Sequence, residues 1–209
     1  MNDESRNNPG EEGMEDDGLP RFVPQAIPEI LLVEPRVWRD ERGFFFESYN
    51  AATWKDAGIE ADLLQDNHSR STAGVLRGLH AQLERPQAKL VRVIEGEIYD
   101  VAVDIRPGSE SFGRWVAAVL SADNFRQLYI PAGFAHGFCV LSEAAQVAYK
   151  VSGAWDPTDE ITLSWNDPQL GIDWPVAEPL LSEKDSRGVS LAEVASRLDA
   201  GGADGEAKP

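Results

Sequence analysis

Three histidines, His68, His80 and His136, are the chain's only imidazoles, and two of them stand in settings that suit chemistry. His136 closes Pro131-Ala132-Gly133-Phe134-Ala135-His136, the Pro-x-Gly-x-x-His spacing with which some β-barrels supply one ligand to a metal. Such barrels draw further ligands from a His-x-His pair, but the corresponding segment here reads His80-Ala81-Gln82, one imidazole short. A lasting transition-metal site takes three or four N, O or S ligands, so no bound metal is expected. His80 is instead a candidate proton carrier, because imidazole titrates near neutrality. In Val75-Leu76-Arg77-Gly78-Leu79-His80, strand alternation turns Arg77 and Leu79 to one face and Leu76, Gly78 and His80 to the other. A lone histidine on a strand is more often a hydrogen-bonded structural residue, and spacing alone leaves the choice open.

The elements that must position these side chains read mostly as strands. Ile30–Val33, Phe44–Tyr49, Leu90–Ile94 and Ile98–Ile105 are extended runs, with a turn at Arg39–Gly43. Along Ile98–Ile105 the alternation places Ile98, Asp100, Ala102 and Asp104 on one face, and Tyr99, Val101, Val103 and Ile105 on the other. Further short strands are expected at Trp115–Leu120, Gln127–Ile130, Gly137–Leu141, Gln146–Val151 and Ile161–Trp165, with Gly, Pro, Asn or Asp punctuating most gaps. Helix is expected at Ala51–Ala57, capped by Asn50, and at Ser190–Leu198, where Ser190 and Glu193 stand in capping-box register. The pattern predicts an all-β sandwich or jelly-roll barrel with a few short helices.

At 209 residues and 42% hydrophobic composition the chain can bury one core. Residues 1–20 hold seven acidic side chains against Arg6 alone and lack apolar periodicity, so they read as a disordered acidic tail. Residues 201–209 read the same way, which leaves one domain over 21–200. The net charge of −17 makes nucleic acid and anionic membranes poor partners. No apolar run approaches the ~20 residues that span a bilayer, and the acidic N-terminus is unlike a signal peptide. The single Cys139, among apolar neighbours, reads as a buried thiol, and a cytoplasmic location is expected.

An ordered set of phrases adds a resemblance. Asp40-Glu41-Arg42-Gly43-Phe44-Phe45-Phe46-Glu47-Ser48 is followed by Gln65-Asp66-Asn67-His68-Ser69, Leu76-Arg77-Gly78-Leu79-His80 and Lys89-Leu90-Val91-Arg92. Then come Asp100–Arg106, Ile130-Pro131-x-Gly133-Phe134-Ala135-His136-Gly137-Phe138, Tyr149-Lys150, Trp165–Pro168, Gly171–Pro175 and Leu181-Ser182-Glu183-Lys184-Asp185. From about Ile27 to Asp185 the chain resembles the dTDP-4-dehydrorhamnose 3,5-epimerase family. The resemblance implies a cupin-type jelly-roll, a homodimer in which an N-terminal strand crosses to the partner, and neither metal nor cofactor. The implied reaction inverts C3 and C5 of dTDP-4-dehydro-6-deoxy-D-glucose to give dTDP-4-dehydro-L-rhamnose.

Inversion beside a ketone needs a base on one wall, an acid on the other and a cation for the enolate oxygen. By resemblance His80 is the base, Asp185 orients it, Tyr149 is the opposing acid and Lys89 meets the C4 oxygen. Arg42 and Arg77 match the family's nucleotide-binding arginines, and Glu47, Gln65, Asp66 and Asn67 match positions contacting base, sugar or phosphates. His136, Glu160 and Lys184 match further binding positions. Two positions depart from the family. Trp155 stands where it usually stacks a tyrosine on thymine, and Ala81 replaces an aromatic after the base. Two rival readings are an epimerase inverting only one carbon and a catalytically silent binding barrel. The second predicts loss of His80, Tyr149, Lys89 or Asp185, all of which are present.

Overall fold

A computed structural model of the protein describes residues 18–203, so most of the expected acidic tail and the last residues of the C-terminal tail lie outside the described residues. Within that span the chain forms two antiparallel sheets. The six-stranded sheet runs β1 (Arg21–Pro24), β2 (Leu31–Glu34), β10 (Gln127–Ile130), β7 (Lys89–Glu95), β12 (Ala144–Val151) and β5 (Gln65–Thr72). The five-stranded sheet runs β13 (Glu160–Thr162), β6 (Leu76–Gln82), β11 (Phe134–Val140), β8 (Glu97–Asp104) and β9 (Trp115–Ser121). The order interleaves strands distant in sequence, as expected of a jelly-roll. A separate hairpin, β3 (Trp38–Asp40) with β4 (Gly43–Phe45), pairs with neither sheet.

Alternation builds two apolar layers. Val91 and Val93 of β7, Leu128 and Ile130 of β10, and Ala145 and Val147 of β12 meet Ile98, Ala102, Phe134 and Phe138 of the other sheet inside the barrel. The opposite face of β8, with Val101 and Val103, packs under Leu163, Leu170, Trp174 and helix α2 (Leu191–Ala203). The five-stranded sheet is therefore buried on both faces, and β8 divides its two side-chain rows as its sequence predicts.

Helix α1 (Ala51–Asp56) starts where Asn50 accepts a hydrogen bond from the Ala52 N–H. Ser190 caps α2 by accepting from Glu193 N–H at 3.2 Å, but the helix continues past the expected Leu198 to Ala203. Its end therefore takes in the first residues of the segment expected to be tail. Cys139 is buried and free of any disulfide, as expected.

Candidate active site

The inward rows of four strands turn polar toward one end of the barrel. Lys89 precedes Val91 and Val93 in β7, and Tyr149 follows Ala145 and Val147 in β12. His136 lies between Phe134 and Phe138 in β11, and Asp100 between Ile98 and Ala102 in β8. Where the apolar rows stop, a cavity of about 130 Å³ opens, lined by Ser69, Arg77, His80, Lys89, His136, Phe138 and Tyr149.

Strict alternation of β6 expects Arg77 and His80 on opposite faces, yet both line this cavity. A β-bulge is the cause: His136 of β11 sits opposite His80, but Phe138 sits opposite Arg77, so β6 spends one residue more than its partner. Gly78 supplies the extra residue with φ +119, and a Cβ there would lie 2.5 Å from the Gly137 Cα. The bulge returns Arg77 to the inner face, where its Nε donates to Ser71 Oγ at 2.9 Å.

His80 Nε2 lies 2.6 Å from Asp185 Oδ1. The carboxylate arrives from 105 positions away because the C-terminal segment closes on β6: Leu180 carbonyl accepts from Leu76 N–H, and β13 pairs with β6 at Thr162–His80. Asp185 opens a 3₁₀ turn (Asp185–Arg187), and its Oδ2 accepts from Ser182 Oγ at 2.7 Å. Burial pushes this carboxyl up, but hydrogen bonds from His80, Ser182 and the Gly78 N–H outweigh it and hold it below the usual carboxylate range. An ionised Asp185 only accepts, so the Nε2 facing it carries a proton and donates.

Lys89 is 8% exposed, and its Nζ donates to the His80 carbonyl at 3.2 Å. Burial lowers its pKa to about 8, against the opposing pull of Asp100 and Glu160. Burial also raises the Tyr149 phenol, although Arg77 pulls it down, so Tyr149 stays protonated at neutral pH. His136 Nε2 lies 2.9 Å from Asp100, and burial holds the imidazole below its ordinary value despite that carboxylate. Among the described residues no three His, Cys, Asp or Glu side chains gather as a metal site. His80 and His136 each face a carboxylate of their own.

The remaining residues singled out in the sequence distribute unevenly. On β5, Asn67 stands opposite the inward Tyr149, so Gln65 and Asn67 face the barrel interior, joined by a 2.8 Å hydrogen bond. Asp66 faces the other way and pairs with Lys150 at 2.9 Å, which takes it off the cavity face. Glu160 and Lys184 form an ion pair near enough to Lys89 to bias its charge. Trp155 stands 57% exposed in the loop after β12, tied to β6 where Asp156 N–H donates to Gln82. Arg42 lies on the β3–β4 hairpin, exposed and paired with Asp40, and Glu47 accepts from Asn50 beside α1, so neither lines the cavity. Ser69 and Asp100 escaped the sequence reading. Asp100 had a signal, a charged residue in the inward row of β8, whereas Ser69 sits in a strand with no apolar residue at all.

A half-buried His80 on one sheet, held by the buried Asp185 of the 3₁₀ turn, shares one cavity with the protonated phenol and the lysine of the other sheet, and that set can move protons on and off a bound substrate. That defines an acid–base isomerase built on a jelly-roll. The family model described as dTDP-4-dehydrorhamnose 3,5-epimerase matches residues 24–193, and the chain belongs to this family. It is 57% identical over 170 residues to the dTDP-4-dehydrorhamnose 3,5-epimerase of Pseudomonas aeruginosa, covering 80% of this chain and 94% of that one. A crystal structure of the Legionella pneumophila dTDP-6-deoxy-D-glucose-3,5-epimerase, in complex with dTDP-4-keto-L-rhamnose, superposes with TM-score 0.83 at 48% identity, covering 86% of this chain and 96% of that one. A 3′-monoepimerase from Streptomyces bikiniensis in complex with dTDP-quinovose superposes with TM-score 0.78 at 34% identity, covering 84% of this chain and 90% of that one.

Proposed function

We propose that this enzyme inverts C3 and C5 of dTDP-4-dehydro-6-deoxy-D-glucose to give dTDP-4-dehydro-L-rhamnose, with His80 as base and Tyr149 as acid. The observation that carries this reading is their placement on opposite walls: His80 belongs to β6 of one sheet and Tyr149 to β12 of the other, across one small cavity. His80 Nδ1 takes the proton from the carbon beside the C4 ketone, and Asp185 stabilises the imidazolium that forms. The bond electrons pass to the C4 oxygen, where the Lys89 ammonium meets the developing negative charge. Tyr149 returns a proton from the opposite face, and that change of face inverts the carbon; exchange with solvent then takes the proton from His80 and restores the Tyr149 phenol before the second carbon reacts. No step in this sequence draws on a metal or a cofactor. Arg77 and Lys184 supply cations toward the diphosphate, Gln65, Asn67, His136 and Glu160 supply polar contacts, and Trp155 offers an indole face to the thymine.

The working unit in this proposal is a homodimer. Among the described residues the β3–β4 hairpin finds no further strand partner and presents Trp38, Phe44 and Phe45 to solvent, so pairing with a second copy buries them and carries Arg42 and Glu47 toward the partner's cavity. The likeness to the 3′-monoepimerase supports one rival, inversion of a single carbon.

Proton NMR in deuterated buffer tests the reading directly. Deuterium entering at both C3 and C5 is the expected result, and His80→Asn removes exchange at both while the nucleotide still binds. Label at one carbon only favours the monoepimerase, and full turnover by His80→Asn removes the base assignment.

A further inference from the structure

Among the polar side chains of the cavity, Ser69 stands apart. Its hydroxyl is buried and has no hydrogen-bond partner among the described residues. Other serine hydroxyls near the interior are engaged: Ser71 with Arg77, Ser109 and Ser111 with Asp104, Ser182 with Asp185. A buried hydroxyl left without a partner is costly, and such a cost persists where a ligand group completes the bond. Ser69 lines the cavity from β5, opposite Val147 and one inward step from Asn67, which faces Tyr149. It therefore sits on the acid's wall of the site, with Arg77 and Lys89 also lining the space before it. Those two cations suit phosphate or enolate charge, whereas a neutral, rotatable O–H that both donates and accepts suits a sugar oxygen.

We propose that Ser69 is a substrate-contacting residue whose hydroxyl hydrogen-bonds an oxygen of the hexose portion of the nucleotide sugar, not its diphosphate. The inference rests on the proposed function for the identity of that sugar. It also accounts for a hydroxyl in the inward row of β5 opposite Val147 of β12.

The test compares wild type, Ser69→Ala and Ser69→Cys, the second filling the space with a weak donor. Melting temperature, calorimetric affinity for dTDP and for dTDP-L-rhamnose, and kcat/KM are measured for each. Because Ser69 gives up no bond within the protein, both variants should melt at or above the wild-type temperature and bind dTDP unchanged. Affinity for dTDP-L-rhamnose and kcat/KM should fall roughly tenfold, the loss typical of one neutral hydrogen bond. Unchanged sugar affinity and turnover, an equal loss for dTDP alone, or a lowered melting temperature would each overturn the inference. If wild type binds dTDP-L-rhamnose but exchanges no C–H proton, the proposed reaction fails, while the role of Ser69 is still decided by the affinities.

Discussion

In the proposed reaction Lys89 has to be charged to meet an enolate, and it has to be buried for that charge to count. Burial sets its pKa near 8, so the ammonium is present below that pH and lost above it. The expected pH profile of kcat/KM therefore falls on its alkaline side from about pH 8, and Lys89→Met loses roughly 10²–10³-fold with that limb abolished. A rate that stays flat to pH 10 in the wild type would contradict the role given to Lys89. Asp185 acts one bond further out. Asp185→Asn keeps the size of the side chain but cannot hold the His80 tautomer by charge, and kcat should drop roughly 10²–10⁴-fold with dTDP affinity retained. Steady-state kinetics beside calorimetry separates the two effects.

Two of the strands that line the site, β5 and β6, depart from a simple apolar alternation in different ways. In β5 the run Gln65-Asp66-Asn67-His68-Ser69-Arg70-Ser71-Thr72 offers no apolar residue, because its inward row lines the polar end of the barrel. A reading based on apolar periodicity passes over it for that reason. In β6 the bulge at Gly78 re-aims Arg77, and its glycine is required twice over, by φ +119 and by backbone 2.5 Å from any Cβ. Gly78→Ala is expected to cost roughly 2–4 kcal/mol of stability. Gly74→Ala, also at positive φ but with open space around its Cβ, should cost only about 1–2 kcal/mol. Chemical denaturation of the two variants measures the difference. Equal losses would mean that the close approach to Gly137 does not matter.

At the scale of the molecule, one chain assembles His80, Tyr149, Lys89 and Arg77 around one cavity, but leaves Arg42 on an exposed hairpin beside Phe44, 58% exposed, and Phe45, 70% exposed. Exposed aromatic side chains grouped in this way mark a surface that a partner covers. Phe44→Ser with Phe45→Ser should therefore shift the mass seen by sedimentation from dimer toward monomer and weaken nucleotide binding together. A monomeric wild type, or a variant that keeps full dimer mass, would remove the hairpin from the interface.

Local features of this protein were legible in its sequence. The two-faced row of β8, the Asn50 and Ser190 caps and the apolar setting of the buried thiol all depend on neighbours a few residues apart. The family's phrases also nominated His80, Tyr149, Lys89 and Asp185 by resemblance. What brings them together is closure of the barrel and return of the C-terminal segment, contacts that no local period encodes. The face of Arg77 was decided there too, since one extra residue in a strand reverses every side chain beyond it. So was the separation of Asp66 from Gln65 and Asn67: adjacent residues share a phrase in the sequence, but on a strand they face opposite sides of the sheet.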